Sequence, residues 1–221
     1  MAMTTLYFVR HGKTEWNLEG RYQGAHGDSP LLPTSYTEIA ELAAYLKTIQ
    51  FTHLYTSPLK RAQVTSETLK KALKQPFPVT IVDDLHEFDL GQMEGMAFTD
   101  VFKQFPREIA AFREAPADYD PTTINGETFA SVIQRTNAAV QTIVTAAQPA
   151  DNILIVSHGA AMVAMIQALL KTPIADIRKD GGLTNSSVTT LETLDGGISY
   201  QLLDWNETCF LKRTLSASDT I

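Results

Sequence analysis

Two apolar stretches far apart in the chain each end in a histidine and a glycine, and this repeated pattern constrains the fold more than any other feature. Residues 6–9 (LYFV) run without polar alternation into residues 10–12 (RHG). Residues 153–156 (ILIV) run in the same way into residues 157–159 (SHG). Uninterrupted apolar runs of this kind are typical of strands buried on both faces of a parallel sheet. The pattern therefore predicts an α/β fold.

The two histidines mark a candidate ligand site. In an open α/β sheet, ligands bind in the crevice beyond the carboxyl ends of the strands. His11 and His158 each follow such an end, so their imidazoles share one rim if the two strands are parallel neighbours. Either histidine alone is more often a core or surface residue. The repeated context, with the cation Arg10 beside His11, favours a shared site for an anion.

Helix signals follow the first motif. Ser35 and Glu38 fit a capping box at the start of an amphipathic run. Ser57 and Pro58 have the composition of an N-cap and a first helical residue. Arg61 then falls in the opening turn, where a cation is mildly disfavoured by the helix dipole. A ligand anion would remove that conflict, whereas the plainer interpretation is an arginine paired with a carboxylate.

The later part of the chain predicts the rest of the architecture. Residues 97–125 form a helical excursion that could cover the strand-end site, although its aromatic residues are more often packing residues. Residues 187–194 and 198–205 flank an Asp-Gly-Gly turn and predict a late antiparallel hairpin. The polar end of residues 206–221 predicts a partly loose tail. We therefore expect a three-layer open, mostly parallel sheet flanked by helices, in one domain spanning residues 1–221.

Composition narrows the class of function. The chain has 221 residues, an ordinary apolar share of 44% and a net charge of -7, which argues against nonspecific binding to nucleic acid. Its single cysteine excludes an intramolecular disulfide framework and predicts a reducing, cytoplasmic compartment. The first strand begins too early for a separate secretory leader, and no apolar run is long enough to span a membrane. An anionic ligand must therefore be attracted by a local basic pocket.

Several polar residues fall at or near predicted strand ends, and together they suit one reaction. Two guanidinium groups offer a tetrahedral dianion forked donors that keep their charge, which fits a phosphate monoester. A neutral imidazole can attack phosphorus when a hydrogen bond orients its other nitrogen. A carboxyl group kept protonated by its surroundings can protonate the leaving oxygen. These residues are Arg10, His11, Asn17, Arg61, Glu87 and His158.

The motifs resemble, in order, those of the histidine phosphatase superfamily, in the branch that holds cofactor-dependent phosphoglycerate mutases and broad-specificity phosphatases. The first and most specific is RHGKTEWN at residues 10–17. The others cover nearly the whole chain: Gln23-Gly24 with residues 28–31, residues 57–62 (SPLKRA), residues 85–87 with Gly91 and Glu94-Gly95, residues 126–128 (GET) and residues 156–159 (VSHG).

The resemblance implies a role for each site residue. It makes His11 the phosphorylated nucleophile and Glu87 the proton donor, which later helps to activate water. His158 completes the catalytic set and binds the phosphoryl oxygens. The residues implied to bind the phosphoryl group or to line and support its pocket are Arg10, Asn17, Gln23, Arg61 and Gly159, with Gln23 at the substrate mouth and Gly159 acting through its backbone. The family needs no metal ion.

The chain departs from the family pattern at the rim of the pocket. Residues 25–27 (AHG) separate Gln23-Gly24 from Asp28 by one residue more than is usual, and Tyr36 stands near a common glycine. Met93 takes a place where the family often has tryptophan, which we interpret as a packing variation. The first two changes bear on the identity of the substrate rather than on the phosphate site.

A phosphatase is the preferred prediction, acting on a small phosphorylated metabolite without a cofactor. Mutases of the family carry a longer, basic insertion after the acidic motif, which in this chain lies within residues 83–95. The corresponding segment here, residues 95–126, is short and contains only Lys103, Arg107 and Arg113 as cations. The alternative is a cofactor-dependent phosphoglycerate mutase, which would need priming by 2,3-bisphosphoglycerate.

Two other classes stay open. A metallohydrolase could use His11, Asp28, Glu87 and His158 as ligands, although Arg10 would repel a divalent ion. The non-enzyme alternative is a phosphate-binding or regulatory module without turnover. Because the predicted hairpin lies at the edge of the sheet, it could pair between subunits, so the sequence does not exclude a homo-oligomer.

Overall fold

The fold is built on one sheet. A computed structural model describes residues 3–220. The strands of that part of the chain are β1 (Thr4–Arg10), β2 (His53–Thr56), β3 (Val79–Ile81), β4 (Asn152–Ser157), β5 (Val188–Thr193) and β6 (Gln201–Glu207). Its α-helices are α1 (Glu15–Glu19), α2 (Pro33–Leu46), α3 (Lys60–Leu73), α4 (Phe98–Gln104), α5 (Pro106–Glu114), α6 (Phe129–Ala146) and α7 (Gly159–Leu169).

The strand order places the two strand–histidine motifs side by side. The order across the sheet is β3-β2-β4-β1-β5-β6. Strands β3, β2, β4 and β1 are parallel, while β5 pairs antiparallel with β1 and with β6. Arg10 lies opposite Ser157 in the parallel register of β1 and β4. The predicted fold class, a mostly parallel sheet with a late antiparallel pair, is confirmed.

The side chains of the two central strands alternate between two helix layers. Leu6 and Phe8 of β1 pack with Ile153 and Ile155 of β4 on the face covered by α6 and α7. On the other face, the cluster that includes Val9 is covered by α2 and α3. Because both faces are buried, neither strand shows the polar alternation of a half-exposed strand.

The predicted helical excursion, residues 97–125, contains α4, α5 and two short 3-10 turns. Its buried side chains, among them Val101, Ile109 and Phe112, belong to a third apolar cluster. Phe112 packs edge-to-face on Phe88, with ring centroids 5.3 Å apart. The excursion is thus tied to the loop of residues 86–90, which also carries Glu87. Its action as a lid stays a prediction.

The structure corrects two predicted helix starts. Helix α2 begins at Pro33, and Ser35 donates to the main-chain oxygen of Lys13 at 2.7 Å instead of capping the helix. Helix α3 begins at Lys60, so Ser57 is not its N-cap. In both cases the hydroxyl group also has a hydrogen-bond partner distant in sequence, which is His158 for Ser57.

The structure packs two parts of the tail that the sequence predicts to be partly loose, while Lys212, Thr214, Leu215 and Ser216 between them are exposed. Strand β6 continues to Glu207, and Asp219 is fully buried. A capping box at Ser216 and Asp219 orders the last 3-10 turn. The end of the chain therefore packs against the protein, and Ile221 lies outside the described residues.

Candidate active site

The register of the sheet brings the two histidines together. His11 and His158 immediately follow the paired residues Arg10 and Ser157 at the carboxyl ends of β1 and β4. Their ring centroids lie 5.2 Å apart, and both residues are buried. One pocket at the strand ends therefore holds two imidazoles.

The His11 ring is held in one orientation. Its Nδ1 lies 2.8 Å from the main-chain oxygen of Gly12, which can only accept, so Nδ1 carries the proton and Nε2 keeps its lone pair. Burial, together with the positive charges of Arg61 and Arg10, lowers the pKa of His11 well below the ordinary imidazole value. A neutral imidazole with a free Nε2 is the form that can act as a nucleophile.

Arg10 is fully buried at the end of β1. Its Nη1 donates to the main-chain oxygens of Leu183 and Asp219, the latter at 2.7 Å. Within residues 3–220, no hydrogen-bond partner faces its Nε or its Nη2. Burial lowers the pKa of Arg10 to about 10, which still leaves the guanidinium charged at neutral pH. Gly159 lies against this group, because a Cβ there would stand 3.1 Å from Nε.

Arg61, in the first turn of α3, is fixed by a loop. Its guanidinium donates to the main-chain oxygens of Gly27 at 2.8 Å and Gly24 at 3.0 Å, and pairs with Asp28 at 3.1 Å. Its buried Nε has no partner among the described residues. The simpler prediction, that Arg61 pairs with a carboxylate, therefore holds for Nη1, which contacts Asp28, but not for Nε.

His158 contacts the serine that the sequence suggested as a helix cap. Its Nε2 lies 2.6 Å from Oγ of Ser57, and the same Oγ accepts from the main-chain N–H of Leu59 at 3.3 Å. The Nδ1 atom is buried, and nothing in residues 3–220 hydrogen-bonds to it. Burial and the charge of Arg61 lower the pKa of His158 well below the ordinary value.

The buried nitrogens without partners are the chemical signature of this pocket. A buried polar group without a hydrogen bond costs about 1–3 kcal/mol, so native proteins keep few of them. Four such nitrogens belong to groups of this pocket whose charges act on one another: Arg10 Nε and Nη2, Arg61 Nε and His158 Nδ1. Two guanidinium groups and two imidazoles suit a tetrahedral oxyanion.

The carboxyl group of Glu87 lies against the N-terminus of α7. Its Oε1 accepts from the N–H groups of Phe88 at 2.9 Å and Ala161 at 2.7 Å, and its Oε2 accepts from Ala160 at 3.1 Å. The carboxyl group is buried, and its charge acts on both Arg10 and Arg61. Oε1 accepts from two N–H groups and Oε2 from one, so Oε2 keeps the more open lone pairs.

The other predicted site residues lie deeper in the wall. Asn17 completes the capping box of α1, in which Thr14 is the N-cap, and its Oδ1 accepts from the N–H of Thr14 at 3.1 Å. Gln23 is 4% exposed and bridges Thr14 at 2.5 Å and Ser29 at 2.9 Å. Both side chains support the loop between β1 and α2.

Sequence reasoning missed contributors that come from far along the chain. Ser57 contacts His158, and the carbonyl groups of Leu183 and Asp219 hold Arg10. The position of Ser57 directly after β2, on the same rim as the histidines, was the available signal. No local signal pointed to the two carbonyl groups.

The four residues considered as metal ligands are engaged differently. Asp28 pairs with Arg61, and Glu87 accepts main-chain N–H groups. Among residues 3–220, no cluster of three or more His, Cys, Asp or Glu side chains could hold a metal ion. In the same part of the chain, every helix is too short or too polar to cross a membrane.

Comparison with known proteins identifies the class that this fold and site define. Residues 6–208 match the profile of the histidine phosphatase superfamily (branch 1). The chain is 34% identical over 164 residues to the uncharacterized phosphatase PhoE of Bacillus subtilis, covering 74% of this chain and 76% of that protein. It is 29% identical over 174 residues to a probable phosphoglycerate mutase, GpmB of Citrobacter koseri, covering 77% of each.

A solved structure agrees. Bacillus stearothermophilus YhfR superposes with a TM-score of 0.86 at 31% identity, covering 95% of this chain and 100% of that one. The protein therefore belongs to the histidine phosphatase superfamily, as the motifs predict, within its phosphoglycerate mutase-like family.

Proposed function

We propose that the protein is a metal-independent phosphomonoester hydrolase that acts on a small phosphorylated metabolite through a phosphohistidine intermediate. The observation that carries the proposal is the free Nε2 of a neutral, buried His11 in a pocket with unpartnered guanidinium nitrogens. The relative named as a phosphatase supports the reaction class.

In the first half-reaction, the lone pair of His11 Nε2 attacks phosphorus as the bond from phosphorus to the ester oxygen breaks. Arg10, Arg61 and the Nδ1–H of His158 bind the phosphoryl oxygens, and Ser57 can donate its proton to His158 Nε2 to set that tautomer. Glu87 gives the leaving oxygen a proton, so the product is a neutral alcohol.

In the second half-reaction, water attacks the phosphohistidine. Glu87, now ionised, takes a proton from that water, while the bond from phosphorus to Nε2 breaks and its electron pair returns to His11. Inorganic phosphate leaves, and both residues regain their starting protonation. The cycle consumes one water and needs no cofactor.

Mutase activity is the second candidate, because a relative carries that name. A mutase must shield its phosphohistidine from water while the substrate reorients, and it would need 2,3-bisphosphoglycerate for priming. The short stretch of residues 95–126, with three cations, favours the phosphatase. A cytoplasmic location stays a prediction.

The test follows inorganic phosphate and 2-phosphoglycerate together, in EDTA, with 3-phosphoglycerate or p-nitrophenyl phosphate as substrate. We expect phosphate release without isomer, and no response to a trace of 2,3-bisphosphoglycerate. Isomer that forms faster than phosphate would instead identify a mutase. Loss of all turnover in EDTA would contradict the metal-independent reaction.

His11→Ala should lower the turnover of p-nitrophenyl phosphate by at least about a thousandfold, because it removes the nucleophile. The matched control is His53→Ala, which removes the imidazole at the first residue of β2, at the end of that strand away from the candidate site. Rapid acid-free quenching should trap an alkali-stable phosphoprotein in the wild type only. Full activity of His11→Ala would contradict the proposal.

A further inference from the structure

A cavity of about 680 Å³ is lined by chain neighbours of two residues of the candidate active site. Its wall includes Pro58, which follows the serine bound to His158, and His86, which precedes Glu87. Cavities of this size suit small molecules. Because Pro58 and His86 are chain neighbours of Ser57 and Glu87, the cavity could take the alcohol part of a phosphate ester held at the site.

The charge of this cavity is opposite to that of the phosphate site. Asp83, Asp89 and Glu127 line it, and no lysine or arginine belongs to the described lining. Glu127 is neutralised by Arg135 at 2.9 Å. Asp89 has only His26 as an ionic neighbour, at 3.3 Å, and no ion pair involves Asp83 within residues 3–220.

The remaining lining combines an apolar surface with hydroxyl groups. Ala25, Pro58 and Leu59 supply apolar contacts, and Thr128 and Ser131 supply hydroxyls. Residues 25–27 form the stretch that is one residue longer than the family spacing. Ala25 and His26 of this stretch line the cavity, so that part of the wall departs from the family spacing, whereas Pro58, Leu59 and residues 126–128 belong to the shared motifs.

We propose that the cavity selects a phosphomonoester whose alcohol part is uncharged and rich in hydroxyl groups, such as a sugar or polyol phosphate, and disfavours a second anionic group. The proposal rests on the proposed phosphatase function. Hydroxyl groups can donate to Asp83 and Asp89, whereas a carboxylate placed there meets like charge, and no lysine or arginine belongs to the described lining.

A matched pair of probes tests this selectivity. Glycerol 3-phosphate and 3-phosphoglycerate share a carbon chain and differ in a hydroxymethyl group against a carboxylate. Each is measured as a competitor of p-nitrophenyl phosphate hydrolysis, so neither has to be the natural substrate. At low salt we expect the inhibition constant of 3-phosphoglycerate to be at least about tenfold larger than that of glycerol 3-phosphate. The ratio of the two constants should approach one as added salt screens the carboxylates.

The double variant Asp83→Asn/Asp89→Asn should bring the two inhibition constants within about twofold of each other, because it removes both charges and keeps an acceptor oxygen at each position. Asp204→Asn, on β6, makes a change of the same kind at an exposed strand residue and should keep the wild-type ratio. A wild-type enzyme that binds 3-phosphoglycerate as tightly as glycerol 3-phosphate overturns this inference alone. An enzyme that does not hydrolyse p-nitrophenyl phosphate overturns the proposed function, and this inference with it.

Discussion

Nη2 of Arg135 donates a hydrogen bond to the main-chain oxygen of Glu87 at 3.1 Å, across 48 positions of sequence. Its Nη1 donates to the carbonyl groups of Asp84 at 2.7 Å and His86 at 2.9 Å. The remaining N–H groups form a two-point pair with Glu127, both contacts at 2.9 Å. All five donors of the guanidinium are thus used to hold the loop that presents Glu87.

The first prediction concerns Arg135→Lys. A lysine has three donors at a single point and cannot reproduce this fork, so the loop and the carboxyl group of Glu87 should loosen. Poor leaving groups depend most on a proton donor. We expect kcat/KM to fall about tenfold for glycerol 3-phosphate and less than about threefold for p-nitrophenyl phosphate.

The control is Arg107→Lys, which changes an exposed arginine of α5 and should leave both substrates unaffected. An equal loss on both substrates for Arg135→Lys would indicate general damage to the fold and contradict a positioning role.

The second prediction concerns stability against pH. Burial lowers the pKa of both His11 and His158, so both stay neutral in the folded protein below the pH at which an unfolded chain protonates them, about 6.5. In that range the unfolded state binds more protons, and the free energy of unfolding falls as the pH falls. The slope should reach about 1.4 kcal/mol per pH unit for each histidine.

Urea unfolding of wild type and His158→Asn between neutral and mildly acidic pH measures this slope. The slope measured for His158→Asn should be smaller than that of the wild type by the contribution of one histidine. His26→Asn should keep the wild-type slope, since that side chain is 77% exposed. A His158→Asn protein with an unchanged slope would contradict the prediction.

The sequence predicted the fold and the central pair of histidines because both depend on local patterns. A run such as residues 6–9 has only apolar side chains, so burial on both faces follows without knowledge of its neighbours. The residue after such a strand must lie at the rim of the sheet. Parallel pairing of two such strands then brings His11 near His158.

Hydrogen bonds between distant segments were not predictable in this way. Ser35 and Ser57 both had the local chemistry of helix caps, but the first bonds to Lys13 and the second to His158. The tail was polar, yet Asp219 is buried because it pairs with Lys13, distant in sequence, as well as with Arg213 of the tail itself. Local composition cannot tell a polar residue that faces solvent from one that meets such a partner.

The third prediction concerns Asp219. Its carboxylate pairs with Lys13 at 2.8 Å and Arg213 at 2.7 Å, and its main-chain oxygen accepts from Arg10. These cations and the Ser216 hydrogen bonds lower its pKa, despite burial. Its stabilising effect is therefore present above the ordinary pKa of aspartate and is lost as the pH falls through the lowered value.

Asp219→Asn should lower the free energy of unfolding at neutral pH by about 2 kcal/mol, since Lys13 and Arg213 lose their common partner while Arg213 is partly solvated. It should also raise the KM for p-nitrophenyl phosphate more than it changes kcat, because Arg10 loses support. The control Asp204→Asn, on β6, should change neither quantity. Reduced stability with an unchanged KM would mean that the tail stabilises the fold but does not affect the position of Arg10.

The fourth prediction concerns Gly159, the first residue of α7. A Cβ at this position would lie 3.1 Å from Nε and 3.2 Å from Cζ of Arg10, so Gly159→Ala should push the guanidinium a few tenths of an ångström from its place. Alanine favours a helix over glycine by up to about 1 kcal/mol, so the folded state should not be weakened. We expect unchanged or higher resistance to urea together with a KM for p-nitrophenyl phosphate raised about fivefold. A raised KM without loss of stability would show that the close approach of Gly159 keeps the guanidinium of Arg10 in place. An unchanged KM would mean that Arg10 adjusts freely and that this contact does not set the geometry of the site.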